Sequence, residues 1–146
     1  MKAEESLALI SYRLERSRES LRAAEIMFES DMLTFSMNRV YYAMFYAIQA
    51  LLVSRKVSFS KHGQVKAYFN REMIKTGIFP TEMGRLYNKA FEYRQKFDYV
   101  DFSSPDREMV SEYLEEARGF INNIQEYLRQ EHQKSKIGTA TVFLNH

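Results

Sequence analysis

Apolar residues recur at alternating three- and four-residue steps along most of this chain, which is the period of an α-helix with one buried face. A first stripe covers roughly residues 4–29, with charged side chains on the other faces, and falls on Leu7, Ile10, Leu14, Ser17, Leu21, Ala24 and Phe28. A second stripe runs from Leu33 to about Arg55 and is apolar around much of the helix. The pattern predicts two long helices, the second of which is central or part of a subunit interface.

Turn and capping residues divide the rest of the chain. Gly77 follows a shorter helix predicted over residues 61–75, in the position that a left-handed C-cap favours. Pro80 begins a fourth helix. Ser104-Pro105 predicts the start of a fifth, with Ser104 as the N-cap and proline at the first helical position. We therefore predict an all-α fold, an antiparallel up-and-down bundle of four long helices and one short helix.

The composition agrees with one helical domain. The chain has 146 residues, of which 45% are hydrophobic, with 2 Pro, 5 Gly and no Cys. The absence of cysteine excludes disulfides and a cysteine nucleophile. Because no apolar run resembles a signal peptide or a membrane span, we expect a cytoplasmic protein that makes no membrane contact. Residues 1–133 are predicted to form the bundle, and residues 134–146 a tail that is either flexible or a short strand.

Charge is distributed unevenly, although the formal net charge is only +2. Residues 31–100 carry eleven basic and five acidic side chains, whereas the segments on either side are acidic on balance. A positive segment of this kind is what an anion-binding surface needs. A solvated face without a partner would give the same count.

Two runs of sequence place arginine among aromatic residues. Asn38-Arg39 lies inside the aromatic and aliphatic second helix, and Arg94 lies inside the run from Phe91 to Tyr99. A guanidinium group keeps its charge, so its burial is costly unless a carboxylate, a phosphate or a partner chain meets it. These two runs are therefore the best candidates for a functional site.

Taken in order, the motifs resemble the HEPN domain family, most closely the branch typically encoded beside a minimal nucleotidyltransferase. The matching residues, within roughly residues 5–130, are Asn38-Arg39-x-Tyr41-Tyr42-Ala43-x-Phe45, then Lys61-His62, Lys75-Thr76-Gly77 and Arg94-x-x-x-Asp98-Tyr99. The resemblance implies an all-helical bundle that forms a homodimer. In many members it also implies a metal-independent ribonuclease that acts as a toxin, with the nucleotidyltransferase as its antitoxin. No cofactor is expected, and no metal site, since no two histidines lie close together in the sequence.

One position departs from the pattern of the active members of that family. They carry a histidine a few residues after the motif arginine. Here Arg94 is followed by Gln-Lys-Phe-Asp-Tyr, and the next histidine is His132. Arg94 therefore matches the motif arginine, and the position of the motif histidine is unfilled.

The catalytic candidates are Arg94, Asp98 and His62. Arg94 can hold the charge of a phosphorane, or it can form an ion pair with Asp98 one helical turn away. An ordinary aspartate is a weak base near neutrality, so we expect Asp98 to orient Arg94 instead. His62 is expected in the first turn of the third helix, either as a neutral acceptor for proton transfer or as a polar residue in solvent.

The candidates for binding RNA or phosphate are Asn38, Arg39, Lys61 and Tyr99. Asn38 and Arg39 either reach the Arg94 site, or Arg39 pairs with a carboxylate such as Glu92 and fastens two helices. Tyr99 can stack on a base or donate to a phosphate. In a chain with 10 Tyr and 11 Phe, however, a single aromatic residue is more often part of the core.

Two functions stay open at this stage. The first is a toxin-type protein that binds RNA or a nucleotide, with metal-independent endoribonuclease activity as one form of it. The second is a non-catalytic helical dimer that docks a nucleotidyltransferase or binds a nucleotide. Both include a homodimer, because the second helix has a leftover stripe with Tyr42 and Tyr46 that would otherwise face water.

Overall fold

The structure, a computed structural model, describes residues 2–144, and it describes side chains for residues 2–135. Its α-helices in chain order are α1 (Ala3–Glu29), α2 (Leu33–Ser54), α3 (His62–Phe69), α4 (Thr81–Tyr99) and α5 (Arg107–Leu144). No strand occurs among the described residues. The predicted all-α bundle of four long helices and one short helix is confirmed.

α2 lies at the centre of the bundle and contacts each of the other four helices. Its inward face includes Tyr41, Met44 and Ile48, all of which are essentially inaccessible to solvent. Burial of this apolar surface is the main favourable contribution to the stability of the bundle. Although α2 is very apolar, neither it nor any other helix in the described part of the chain is suited to crossing a membrane.

α1 packs closely along α2 because small residues line their contact. Ser17 Oγ donates a hydrogen bond to the carbonyl oxygen of Ala43 at 2.5 Å, and Ser36 Oγ donates to that of Ala24 at 2.7 Å. Both serines are buried, so these bonds satisfy hydroxyl groups that would otherwise destabilise the interface. The α1–α2 pair therefore forms a rigid base for side chains on the outer face of α2.

α3 continues as a π-helical turn over Asn70–Ile74, which joins it to α4. Asn70 Nδ2 donates to the carbonyl oxygen of Lys66 at 2.8 Å and to Oδ1 of Asn88 on α4 at 2.9 Å. Gly77 follows with a φ of 82°. The left-handed C-cap predicted at Gly77 is confirmed.

The two ends of α5 differ from the prediction. Its N-cap is Asp106, whose Oδ1 accepts a hydrogen bond from the Met109 N–H at 2.8 Å, and not Ser104. A carboxylate suits this position because it also meets the positive end of the helix dipole. α5 then continues to Leu144, across the predicted boundary at residue 133, so the alternative of a short strand is wrong up to that residue. An established helix extends by one hydrogen bond per residue, which overrides the weak strand propensity of the tail. Residues 145–146 of the predicted tail lie outside the described residues.

Candidate functional site

Helices α2, α3 and α4 meet around a group of aromatic and basic side chains. α2 contributes Tyr41 and Tyr42, α3 begins with His62, and α4 contributes Tyr87 and Arg94. Hydrogen bonds and ring contacts connect all five side chains. We call these five residues the Arg94 cluster.

The buried part of the Arg94 cluster is a chain of tyrosine hydroxyl groups. Tyr87 donates a hydrogen bond to the hydroxyl oxygen of Tyr41 at 3.2 Å, and the Tyr41 hydroxyl lies 2.8 Å from Nδ1 of His62. Both tyrosines are fully buried. Burial raises the pKa of the Tyr41 hydroxyl, and it raises that of Tyr87 further. Both hydroxyl groups therefore stay protonated near neutral pH and act as hydrogen-bond donors.

His62 is held between this hydroxyl chain and an aromatic ring. Its imidazole stacks on the Phe45 ring with centroids 4.2 Å apart and an interplanar angle of 5°. Burial, and secondarily the charge of Arg94, lowers the pKa of His62 from its ordinary value of 6.5. The ring is then neutral at neutral pH. The Tyr41 hydroxyl group occupies Nδ1, so Nε2 is the ring nitrogen that Tyr41 leaves free. Nε2 is a donor in the tautomer that accepts from Tyr41 and an acceptor in the tautomer that donates to Tyr41, so the neutral acceptor predicted from the sequence stays a prediction.

Arg94 supplies the positive charge of the cluster. Its Nη2 donates to the Tyr42 hydroxyl oxygen at 3.0 Å, and its Cζ lies 5.1 Å from the ring centroids of both Tyr41 and Tyr42. Its Nε is buried without a hydrogen-bond partner, and no carboxylate among residues 2–135 forms an ion pair with it. A buried donor without an acceptor costs about 1–3 kcal/mol. The cluster therefore contains a cation that is bound by a neutral hydroxyl group and has no carboxylate partner within residues 2–135.

Asn38 and Arg39 lie beside the cluster and are coupled to Asp98. Asn38 Nδ2 donates to Asp98 Oδ2 at 2.9 Å, and its Oδ1 accepts from Nε and Nη2 of Arg39 at 3.1 and 2.8 Å. The Arg39 Cζ lies 4.6 Å from the ring centroid of Tyr42. This aromatic ring is thus shared by Arg39 and Arg94.

These contacts correct two expectations. Asp98 does not bind Arg94 directly, because the amide of Asn38 satisfies the carboxylate while Tyr42 satisfies Arg94. Nor does Arg39 form an ion pair with Glu92 in the described part of the chain; its Nε and Nη2 donate to the Asn38 side-chain oxygen instead. The carboxylate of Asp98 therefore acts on the site only through the Asn38 side chain.

The last two candidates stand apart from the hydrogen bonds of the cluster. Lys61 is exposed immediately before His62, at the start of α3. Tyr99 is 76% exposed at the last residue of α4, one position after Asp98. The structure thus brings His62 and Arg94 together, with Asn38 and Arg39 alongside, and leaves Lys61 and Tyr99 on the surface.

The sequence reasoning missed the tyrosines that hold the site. Tyr41 and Tyr87 occupy fully buried positions, and Tyr42 is the acceptor for Arg94. A buried tyrosine requires a hydrogen-bond partner where phenylalanine would not. The presence of tyrosine at helix positions whose spacing predicts burial was the available signal.

The fold and the site define a class of protein, a five-helix bundle with an arginine of α4 directed at an aromatic stripe of α2. The sequence profile of the HEPN domain matches residues 10–127. The chain belongs to the HEPN family, and the resemblance predicted from the motifs is confirmed.

Individual relatives cover most of the chain. It is 39% identical over 82% of its length to a UPF0332 protein of Thermotoga maritima, with 91% of that protein covered. Two proteins of Methanocaldococcus jannaschii are also similar. Identity to Putative toxin MJ0142 is 33% over 79% of the chain, with 78% of that protein covered. Identity to Putative toxin MJ0605 is 32% over 80%, with 87% covered.

Proposed function

We propose that this protein is a toxin-type HEPN protein that binds the phosphate of RNA at the Arg94 cluster. The observation that carries the proposal is the state of Arg94, whose guanidinium group is held by the neutral hydroxyl group of Tyr42 and has no carboxylate partner within residues 2–135. A phosphate oxygen is a strong acceptor for arginine and would also balance the charge. The names of the two Methanocaldococcus jannaschii relatives support the toxin class.

The cluster offers two donors to one anion. Arg94 brings the positive charge, and His62 brings an Nε2 proton in the tautomer whose Nδ1 accepts from Tyr41. In metal-independent RNA cleavage, such donors would stabilise the negative charge that develops on the phosphorane. The reaction also needs a base for the ribose 2′-hydroxyl group. We assign Arg94 and His62 to phosphate stabilisation and leave the base without an assignment.

A homodimer is part of this proposal. The hydrogen bond between Asn38 and Asp98 brings the start of α2 next to the end of α4. Apolar side chains around it are exposed: Phe35, Tyr99, Val100 and Phe102. We call these four residues the α4-end patch. A second copy that covers the patch would bring two Arg94 clusters close together, as a shared phosphate site requires.

The remaining partner in the proposal is a minimal nucleotidyltransferase acting as antitoxin in the cytoplasm. A toxin needs a neutralising partner, and two relatives carry toxin names. A second candidate function, a non-catalytic dimer that docks this nucleotidyltransferase, is favoured by Tyr99. That residue is exposed in the segment after Arg94, where active members of the family carry a histidine.

The experiment measures binding and cleavage of a labelled single-stranded RNA, in the presence of a chelator, by the parent chain and three variants. We expect Arg94→Ala to weaken binding at least about tenfold, the equivalent of 1.4 kcal/mol. Arg94→Lys should weaken it nearly as much, because lysine lacks the planar array of donors. His62→Ala should reduce cleavage more than binding.

The controls separate the two candidate functions. Arg85→Ala removes an exposed arginine from the same helix and should leave binding unchanged. Binding that depends on Arg94 without cleavage would support the non-catalytic module. RNA binding that is equal in the parent and in Arg94→Ala would contradict the proposed site.

A further inference from the structure

The arginines of this protein differ in what holds them. Most exposed guanidinium groups are paired with a carboxylate, namely those of Arg18, Arg22, Arg71, Arg107, Arg118 and Arg129. On one face of the bundle, however, arginines are held by tyrosines. A tyrosine hydroxyl group accepts a hydrogen bond without a negative charge, so it orients a guanidinium group and leaves its charge available.

Besides the contact between Arg94 and Tyr42, a second arginine–tyrosine contact lies at Tyr46, two turns along α2 from Arg39. Arg16 of α1 donates from Nη2 to the Tyr46 hydroxyl oxygen at 3.1 Å, and its Cζ lies 5.1 Å from the centroid of the Tyr46 ring. This repeats the contact between Arg94 and Tyr42, which precedes Tyr46 by four residues on the same face of α2. The two tyrosine rings lie 6.1 Å apart. The two arginine–tyrosine contacts therefore lie on consecutive turns of α2.

These residues form a continuous strip along the outer face of α2. Arg39, Tyr42 and Tyr46 recur at helical spacing, with Arg94 reaching in from α4 and Arg16 from α1. We call these five residues the arginine–tyrosine strip. None of its three arginines forms an ion pair within residues 2–135. Two carboxylates lie beside the strip: Asp98 is bound by Asn38 at one end, and Glu19 acts electrostatically on Arg16 at the other.

The length of the strip matches a short piece of nucleic acid. Arg39 and Tyr46 are seven residues apart, which is about 10 Å along a helix. A stacked strand places one phosphate every ~3.4 Å along its axis, so about three phosphates span this distance. Three guanidinium groups without a carboxylate partner within residues 2–135 can meet such a row of phosphates.

We propose that the arginine–tyrosine strip is an extended binding track for single-stranded RNA, which leads from the Arg94 cluster to Arg16. The inference rests on the proposed RNA binding at Arg94 and adds Arg16 and Tyr46 to it. The strip recognises the phosphate backbone. It therefore sets the length of RNA that is bound, and not the base sequence.

The test compares uridine oligonucleotides of two and of twelve nucleotides in fluorescence anisotropy titrations at several salt concentrations. Arg16→Gln should weaken binding of the twelve-nucleotide probe about tenfold. It should also reduce the steepness of log K against log salt concentration by about 0.7, the effect of one phosphate contact. It should leave binding of the dinucleotide unchanged, since that probe reaches only the Arg94 cluster. Tyr46→Phe should produce a smaller loss, because Arg16 loses its orientation and keeps its charge.

Arg55→Gln is the matched control. Arg55 also donates to a tyrosine hydroxyl, that of Tyr127 on α5 at 2.9 Å, and it does not belong to the strip. Binding of the long probe should be unchanged in this variant. Equal losses in Arg16→Gln and Arg55→Gln would overturn the track and leave only a diffuse charge effect.

The binding results distinguish failure of the proposed track from failure of the proposed Arg94 site. If Arg94→Ala abolishes binding of both probes and Arg16→Gln affects neither, RNA binding at Arg94 stands and the track is wrong. If Arg94→Ala changes nothing, both proposals are wrong. If Arg16→Gln alters sedimentation and not RNA affinity, the strip is an interface between copies of the chain, and the track is also wrong.

Discussion

At the scale of single residues, tyrosine is the side chain that organises this site. Tyr87 and Tyr41 orient His62 through their hydroxyl groups, and Tyr42 orients Arg94. A carboxylate in the place of Tyr42 would hold Arg94 equally well but would cancel its charge. Tyrosine therefore combines packing in the core with a neutral acceptor at its edge.

The protonation of His62 gives a prediction at this scale. Burial first, and then Arg94, lowers the pKa of His62 below 6.5, so an NMR titration of its ring should give a midpoint under that value. In Arg94→Gln the midpoint should rise only in part, because burial is the larger cause and remains. A midpoint at or above 6.5 in the parent chain would contradict the buried neutral ring.

The same shift predicts how stability changes with pH. Between the lowered pKa of folded His62 and the ordinary value of 6.5, the unfolded chain binds more protons than the folded chain. The free energy of unfolding should therefore fall as the pH is lowered from neutrality through 6.5. Denaturation in urea at several pH values should reveal this fall, and His62→Gln should reduce it.

At the scale of helices, α2 serves both the core and the site. Its inward face packs against the other helices, and its outer face carries the tyrosines that hold Arg16, Arg39 and Arg94. A change on either face would be transmitted along one rigid helix. The helix ends are less constrained, and there individual residues decide the local structure.

Gly77 provides a prediction at this scale, because its φ of 82° lies in the left-handed region. Gly77→Ala should lower the free energy of unfolding by about 1–2 kcal/mol, since a Cβ is strained in this conformation even where there is space for it. The measurement is the midpoint of urea denaturation.

Gly119→Ala is the control for Gly77. Gly119 lies inside α5, and a Cβ there meets nothing within 4 Å. Alanine should therefore raise the free energy of unfolding by about 0.5–1 kcal/mol through its higher helix propensity. A gain of stability in Gly77→Ala, like that expected in Gly119→Ala, would show that the turn after the π-helical segment is not left-handed.

At the scale of the whole molecule, charge and apolar surface both point to partners. The basic excess of residues 31–100 includes Arg39 and Arg94 on the strip. The α4-end patch exposes apolar side chains nearby, and Phe102 is fully accessible. An apolar patch beside a positive strip is consistent with the proposed dimer contact at the patch and the proposed RNA contact at the strip.

The oligomeric state is the prediction at this scale. Sedimentation velocity at micromolar concentration should give twice the chain mass of 17.4 kDa. Phe102→Ser should shift the protein toward the monomer. Ile26→Ser, which removes a side chain 59% exposed on α1, should not. A monomeric parent chain would contradict the proposed dimer and also the proposed site shared by two Arg94 residues.

Much of the fold could be predicted because helices follow from local pattern. The stripes of α1 and α2 and the cap at Gly77 depend on neighbouring residues in the chain, and each was predicted near its observed place. The start of α5 was misjudged because Ser104-Pro105 and Asp106 both offer capping signals, and only hydrogen bonding distinguishes them. For the tail, only the strand alternative was wrong, up to Leu144, because its strand propensity is weaker than the continuation of α5.

The candidate residues could also be selected from the sequence, since arginine among aromatic residues is unusual at any position. Their partners could not. Asp98 is one helical turn from Arg94 in the sequence, yet it binds Asn38, sixty residues away in the chain. Arg94 binds Tyr42, fifty-two residues away. Helical period specifies which face a residue occupies, whereas the rotation and spacing of packed helices decide which side chains meet. The fold class was therefore contained in local pattern, and the hydrogen bonds of the site were decided by the tertiary packing of α2 against α3 and α4.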